Sequence, residues 1–389
     1  MKKVVLSVLT AGILSVGLNA TEITLYQDKT TGALYTTPGE NRIKLGKFVS
    51  KDEISKDISL KMQKEAKITK VVSKVPTLKI NGVHYLGFTG INYKDDRDDV
   101  KRFESRRNYF QVKAYWNEKD YVRMTLDTHQ DDTGDWKVRL KYAYLYLSGV
   151  LPYTGVEFGQ VHRPWIDWEE HHGWLYRSIA KTFVEEHNGA HLTNSADLGI
   201  NFKTKTENFS SEIGLYNGEG YHGKIKENKE LSFEWRLTAH LFGTGREHVK
   251  SSTEYLDVSF LGQINSEYKN DPEDFKWYGI HAVYNQPLFL LAAMYVKSDH
   301  ENKDDKEGKG FSVNGELRPV PKWSVFARYD KWSDEHGSED KDREEWIAGL
   351  AYKYNKNVKF IANVFGIDPD TDTDDDEELR YMLTSEIKW

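Results

Sequence analysis

The chain has 389 residues, 30% of them charged and 13% aromatic, with a net charge of −7 and no cysteine. Without cysteine there are no disulfides, no thiolate metal sites and no lipidated N-terminal cysteine, and no nucleic-acid partner is expected of so acidic a chain. The hydrophilic average does not exclude a membrane, because in a β-barrel only every second strand residue must be apolar.

Residues 1–20 join two lysines to an apolar run from Val4 to Leu18 and a small residue, Ala20, which reads as a secretory signal peptide outside the fold. Residues 21–76 form an N-terminal segment expected in the periplasm, with a hairpin around Thr31-Gly32 in ITLYQDKTTGALYT. In the same segment Ser50 and Glu53 make a capping box that opens a helix with Ile54, Ile58 and Met62 on one face. Its role is read as a spacer or subunit contact.

Residues 77–389 read as strand after strand. The longest apolar run past the signal, Leu288 to Val296, is far short of the roughly 20 residues a spanning helix needs. Sixteen strands are predicted, at 78–93, 104–116, 119–129, 136–148, 155–161, 196–205, 209–217, 232–243, 252–266, 275–286, 288–298, 311–318, 323–332, 344–355, 358–366 and 378–389. Most connections alternate between short and long, as in an up-and-down antiparallel barrel. An even count lets the last strand pair with the first and leave no open edge, which hydrocarbon demands. The chain ends on ELRYMLTSEIKW, whose alternate residues Leu379, Tyr381, Leu383, Ser385, Ile387 and Trp389 form one apolar face. Trp389 is thereby expected in an interfacial aromatic girdle.

Several strands set apolar residues against polar ones. In 232–243, Phe233, Trp235, Leu237, Ala239 and Leu241 oppose Glu234, Arg236, Thr238 and His240. A basic side chain facing mid-membrane lipid costs roughly 2 to 4 kcal/mol, so the polar faces must look into a wet lumen. They carry thirteen basic residues, namely Arg107, Lys113, Arg123, Arg139, Lys141, Lys203, Arg236, Arg318, Arg328, Lys353, Lys359, Arg380 and Lys388. Eight acids share them, Asp127, Glu157, Glu212, Glu234, Asp257, Glu316, Asp330 and Glu386. This balance leaves two readings open: a net positive wall favouring anions, or a salt-bridged wall with little net field. The stretches 78–93, 275–286 and 288–298 alternate poorly, and their faces are unassigned.

The longest connection, His162 to Ser195, is too aromatic for a floppy tip and is expected to fold into the barrel and narrow it, with a helix near Trp174 to His187. Its constriction candidates are Arg163, Asp167, Glu169, Glu170, His171, His172, Arg177, Lys181, Glu185 and Glu186. His171, His172, His187 and His191 with the glutamates would suit a divalent metal, but no paired spacing singles them out. Hydrogen-bonded pore histidines are the preferred reading. No nucleophile elbow appears, so no enzyme is expected. The acidic stretch DPDTDTDDDEE, with Asp368, Asp370, Asp372 and Asp374 spaced as in a calcium loop, lacks the glycine of the helix-loop-helix type and reads first as a solvated outer loop.

FESRRNYFQVKAYW, LKYAYLYL, GVEFGQVHRPW, ADLGINF, IGLYNGEG and FARYDKW resemble, in that order along the chain, strand motifs of the phosphate-selective type O and P porins of bacterial outer membranes. The resemblance runs from about Phe103 to the C-terminus and implies a sixteen-stranded homotrimeric porin whose third loop enters the pore. The dense basic ladder of that family is not matched in the loop here, where Arg163, Arg177 and Lys181 mix with Asp167 and four glutamates. The expectation is therefore an outer-membrane channel for passive diffusion of small hydrophilic solutes and ions, surrounded by lipid and lipopolysaccharide, with no cofactor. The alternative is an envelope scaffold or adhesion barrel that binds through residues 21–76.

Overall fold

The computed structural model of the protein describes residues 22–49, 76–186, 188–223, 231–265, 275–300, 307–334, 341–368 and 377–389. The expected signal peptide, the capping box with its helix, His187 and Asp370 to Asp374 lie outside the described residues. Two compact units divide the chain, residues 1–74 and 75–389.

In the first unit β1 (Glu22–Asp28), β2 (Leu34–Tyr35) and β3 (Arg42–Val49) form an antiparallel sheet in the order β2-β1-β3. The β1–β2 turn closes because Asp28 Oδ1 accepts the backbone N–H groups of Thr30 and Thr31, each at 2.9 Å, and Gly32 supplies a φ of 73°. The third strand, β3, was not foreseen from sequence.

The second unit is a closed barrel of sixteen antiparallel strands. They are β4 (Thr77–Tyr93), β5 (Val100–Tyr115), β6 (Tyr121–Gln130), β7 (Trp136–Leu151), β8 (Thr154–His162), β9 (Ala196–Lys205), β10 (Phe209–Tyr216) and β11 (Ser232–His240). After these come β12 (Tyr255–Asn265), β13 (Phe275–Asn285), β14 (Phe289–His300), β15 (Gly308–Val320), β16 (Trp323–Asp334), β17 (Lys341–Lys353), β18 (Val358–Asp368) and β19 (Glu378–Lys388). Each strand pairs with the next, and β19 pairs with β4 from Glu378↔Tyr93 to Lys388↔Val83. Gly82 and Trp389 then exchange backbone hydrogen bonds of 2.9 and 3.1 Å, so the terminal residue completes the seam. The Trp389 ring lies outside, 52% exposed, tilted against Phe110, with Nε1 3.0 Å from His84 Nε2.

Burial alternates along the strands as the period of two requires. In β11, Glu234, Arg236, Thr238 and His240 are buried while Phe233 and Ala239 are exposed. The poorly alternating stretches 275–286 and 288–298 turn out to alternate in space as well. Phe275, Trp277 and Val283 of β13 and Leu290, Ala292, Met294 and Val296 of β14 point inward and are buried. Both faces of these strands are apolar because the inward face is not wet: Trp165, Ile166, Trp168, Phe183 and Val184 of the 163–195 loop pack on it. A second cluster joins Trp174, Tyr176 and Ile179 of the loop to Phe326, Ile347, Ile361, Phe365 and Met382 of β16 to β19. Two of the barrel's hydrophobic clusters thus lie between its loop and β12 to β19, and a third joins Tyr142, Tyr144, Val161, Ala196 and Tyr216 of β7 to β10.

Of the register shifts among the described barrel strands, two are bulges that change which residues point inward along the wall. The β4–β5 register slips between Tyr85 and Leu86, leaving Arg106 as the extra residue of β5, and the β6–β7 register slips between Thr125 and Leu126, leaving Lys141 as that of β7. A bulge lets consecutive residues share a side. Arg106 joins Arg107 inside, and Lys141 joins Tyr142.

Candidate functional site

The site is the lumen, and its centre is the 163–195 loop. Pro164 and Trp165 lead into a short helix, α1 (Ile166–His172), which buries Ile166, Trp168 and Glu169. This corrects the expected helix at 174–187, since residues 174–186 form turns and irregular backbone instead. The apolar spacing Trp165, Ile166, Trp168 fits one helical face against β12 to β14, whereas Trp174, Tyr176 and Ile179 pack on β16 to β19. Gly173 ends α1 where a Cβ would stand 2.9 Å from His281 Nε2.

Buried ions hold the loop at its neck. Arg163, 3% exposed, donates Nε to Glu234 Oε1 at 2.9 Å and Nη1 to Thr193 Oγ1 at 2.9 Å. Arg236, 1% exposed, donates Nε to the Pro164 carbonyl at 3.1 Å, and its other nitrogens serve Ser210, Thr238 and Glu212. Arg328 donates to the Lys181 carbonyl and pairs with Asp330. Lys359 donates Nζ to the Leu175 carbonyl at 3.1 Å. On the opposite edge Arg106 donates Nη1 to the Ser178 carbonyl at 3.2 Å and to Thr384 Oγ1 at 2.8 Å.

These contacts sort the residues expected to line the bore. Arg236 and Arg328 point inward but are covered by the loop, so they are anchors rather than walls of open water. Within the loop, Arg163, Glu169, Arg177 and Glu185 are buried, while His171 and Lys181 are exposed and Asp167, Glu170, His172 and Glu186 are partly so. Arg177 binds Glu170 at 3.0 Å and Glu185 within the loop. Burial alone would raise the Glu185 carboxyl, but Arg177 outweighs it and holds Glu185 at about 2. Burial pushes Glu169 up to about 7, although its Oε2 accepts the Trp165 indole N–H at 2.6 Å.

His171 and His172 each turn Nδ1 to the backbone carbonyl four residues earlier, at 2.6 and 2.8 Å, and His172 stacks on Trp168. Burial lowers His172 to about 3. Among the described residues no group of His, Asp and Glu is arranged to hold a metal ion.

Facing the loop across the lumen is the wall of β5, β6 and β7. Arg107 lies 4.5 Å from the Tyr109 ring, Lys113 4.7 Å from Tyr121, Arg123 4.5 Å from Tyr142, and Lys141 5.0 Å from Tyr109. Among the described residues none of these four cations has a carboxylate within 4.0 Å, whereas Arg139 pairs with Asp127, Arg318 with Glu316, Arg380 with Glu378, and Lys203 with Glu157 and Glu212. Tyrosine faces hold the unpaired cations in place without cancelling their charge. Lys141 is only 2% exposed, so it belongs to a tyrosine cage rather than the open bore. Lys353 lines the mouth at the end of the short turns. Sequence reading missed Arg106, since parity hid it. It also missed His162, whose Nε2 lies 3.0 Å from Arg123 Nη1.

The barrel, with a loop after its fifth strand laid inside, has solved counterparts. The anion-selective porin of Comamonas acidovorans matches with a TM-score of 0.59 at 11% identity, over 80% of this chain and 99% of that one. The fold is that of the bacterial porins. OmpF of Salmonella typhi matches this porin fold with a TM-score of 0.56 at 13% identity, over 82% of this chain and 99% of that one. The loop L8 deletion mutant of OmpT, an outer membrane protein of Vibrio cholerae, gives 0.57 at 13%, over 81% and 100%. No protein-family model matches the chain, and no curated protein matches it in sequence. At these identities the likeness is one of porin architecture.

Proposed function

We propose that the protein is an outer-membrane porin: a passive, non-catalytic channel for small hydrophilic solutes and ions, leaning toward anions and assembled as a homotrimer in lipid and lipopolysaccharide. The observation that carries the anion preference is the row Arg107, Lys113 and Arg123 on one wall, supported on tyrosine rings and, among the described residues, without a carboxylate partner. Fixed positive charge at a narrow passage lowers the barrier for anions and raises it for cations. The trimer rests on the sequence resemblance and on a solved trimer form of Vibrio cholerae OmpT. Phosphate itself is not proposed, since the loop balances its cations with Asp167, Glu170, Glu185 and Glu186.

The test is the reversal potential of the refolded protein in planar bilayers under a salt gradient. An anion-selective potential that moves toward cations in Lys113→Glu and Arg123→Glu supports the reading. A refolded barrel without conductance sinks it. The scaffold reading keeps one observation in its favour, the separate β1 to β3 sheet, and envelope pull-downs with and without residues 21–76 test it.

A further inference from the structure

At the end of the barrel where the other connections run two to five residues, the one between β11 and β12 spans residues 241–254. Such length is not needed to join two antiparallel neighbours. This turn is tied down on both flanks. Gly245 N–H donates to the Glu207 carbonyl of the β9–β10 turn at 2.8 Å. On the other side Arg318 Nη1 donates to the Ser251 carbonyl at 3.1 Å, Asn285 Nδ2 to the Thr253 carbonyl at 2.5 Å, and the Tyr284 hydroxyl to Glu254 at 2.8 Å. Its middle residue Val249 packs against the hydrophobic cluster that the loop makes inside the barrel. Just past the turn, the Tyr255 hydroxyl donates to the carbonyl of His172 at the end of α1, at 2.7 Å. The turn therefore reaches inward, beneath the loop.

Two cavities open on either side of it. One, of about 640 Å³, is bounded by the turn and the ends of β15 to β19; the other, of about 270 Å³, by the turn and β9 to β11. Val249 and His171 border both. The cavities differ in charge. The larger gathers Lys250, Lys322, Lys353, Lys356, Lys359 and Lys388 around Glu170, Glu316 and Glu386. In the smaller, Lys203, Lys205 and Arg236 are matched by Asp167, Glu212 and Glu247.

We infer that the 241–254 turn is a second constriction of the channel, one that divides its short-turn mouth into a basic passage and a charge-balanced one and directs small anions into the first. This rests on the porin reading. The contact between Val249 and the loop cluster sets the partition, and Lys250, on the turn itself, faces the basic passage.

The absence of native cysteine makes the test direct. In Lys250→Cys the single thiol is treated with a negatively charged methanethiosulfonate during single-channel recording. Expected is a stepwise fall of about half in conductance with a shift of reversal potential away from anions. A second variant replaces residues 245–250 by Asn-Gly; its conductance should rise about two-fold and larger polyethylene glycols should enter. A thiol that does not react, or complete labelling without change of current, overturns the inference while the unmodified channel still conducts. Absence of conductance in the parent protein instead overturns the porin reading beneath it.

Discussion

Arg163 and Glu234 meet at 2.6 Å where the loop leaves β8, both 3% exposed. The pair joins the first residue of the loop to a strand three places round the wall. Glu234→Ala takes away the nearer carboxylate of the buried guanidinium, with Asp197 farther off at 3.7 Å. Removing one partner of a buried ion pair costs about 3–5 kcal/mol. The unfolding midpoint in detergent should fall accordingly and protease should begin to cut within 163–195. A midpoint equal to that of the parent would show that the neck does not hold the loop.

Glu169 gives the loop a pH dependence of defined sign. Its folded value of about 7 stands above the ordinary 4.5. Between those values the folded state keeps a proton that the unfolded chain has released, so the contribution is fully present below about pH 4.5 and is lost as pH rises to about 7. Glu169→Gln should be less sensitive to pH than the parent between pH 5 and 8, and relatively more stable at pH 8. Parallel slopes in denaturant titrations of the two proteins would remove Glu169 as the cause.

Gly173→Ala should loosen the loop from β13. The added methyl would meet His281 Nε2 at 2.9 Å and Cε1 at 3.2 Å, and His281 is wedged against Trp165 and Trp168 with no room to retreat. Overpacking of this kind costs about 1–3 kcal/mol. Larger open-channel current noise and a lower melting temperature are the expected readings.

Deleting Trp389 should weaken closure of the barrel without touching the lumen. Two backbone hydrogen bonds to Gly82 and the ring contacts to His84 and Phe110 are lost together. The temperature at which the folded band disappears on a gel should drop, and single-channel conductance should stay the same. A changed conductance would place the terminal residue in the pore after all.

What the sequence by itself determined was the wall. Alternation in stretches such as 232–243 assigns faces because a strand offers its side chains to two solvents in turn, and placing charges such as Arg236 or Arg318 against lipid is too costly for any other register. Loop sorting and strand parity then gave closure of the last strand on the first, and the structure adds that Trp389 meets Gly82 at the seam.

Tertiary structure alone decided which inward residues meet water. Arg107 and Arg236 look alike in sequence, each on the polar face of a strand, yet one lies against tyrosines opposite the loop and the other is sealed beneath it. Likewise β13 and β14 read as ambiguous because their inner faces were built for Trp165 and Phe183, partners more than ninety residues away in sequence. The bulges at Arg106 and Lys141 and the inward path of residues 241–254 escape a period-of-two reading for the same reason. Periodicity reports the side to which a residue points, and long-range packing decides what it finds there.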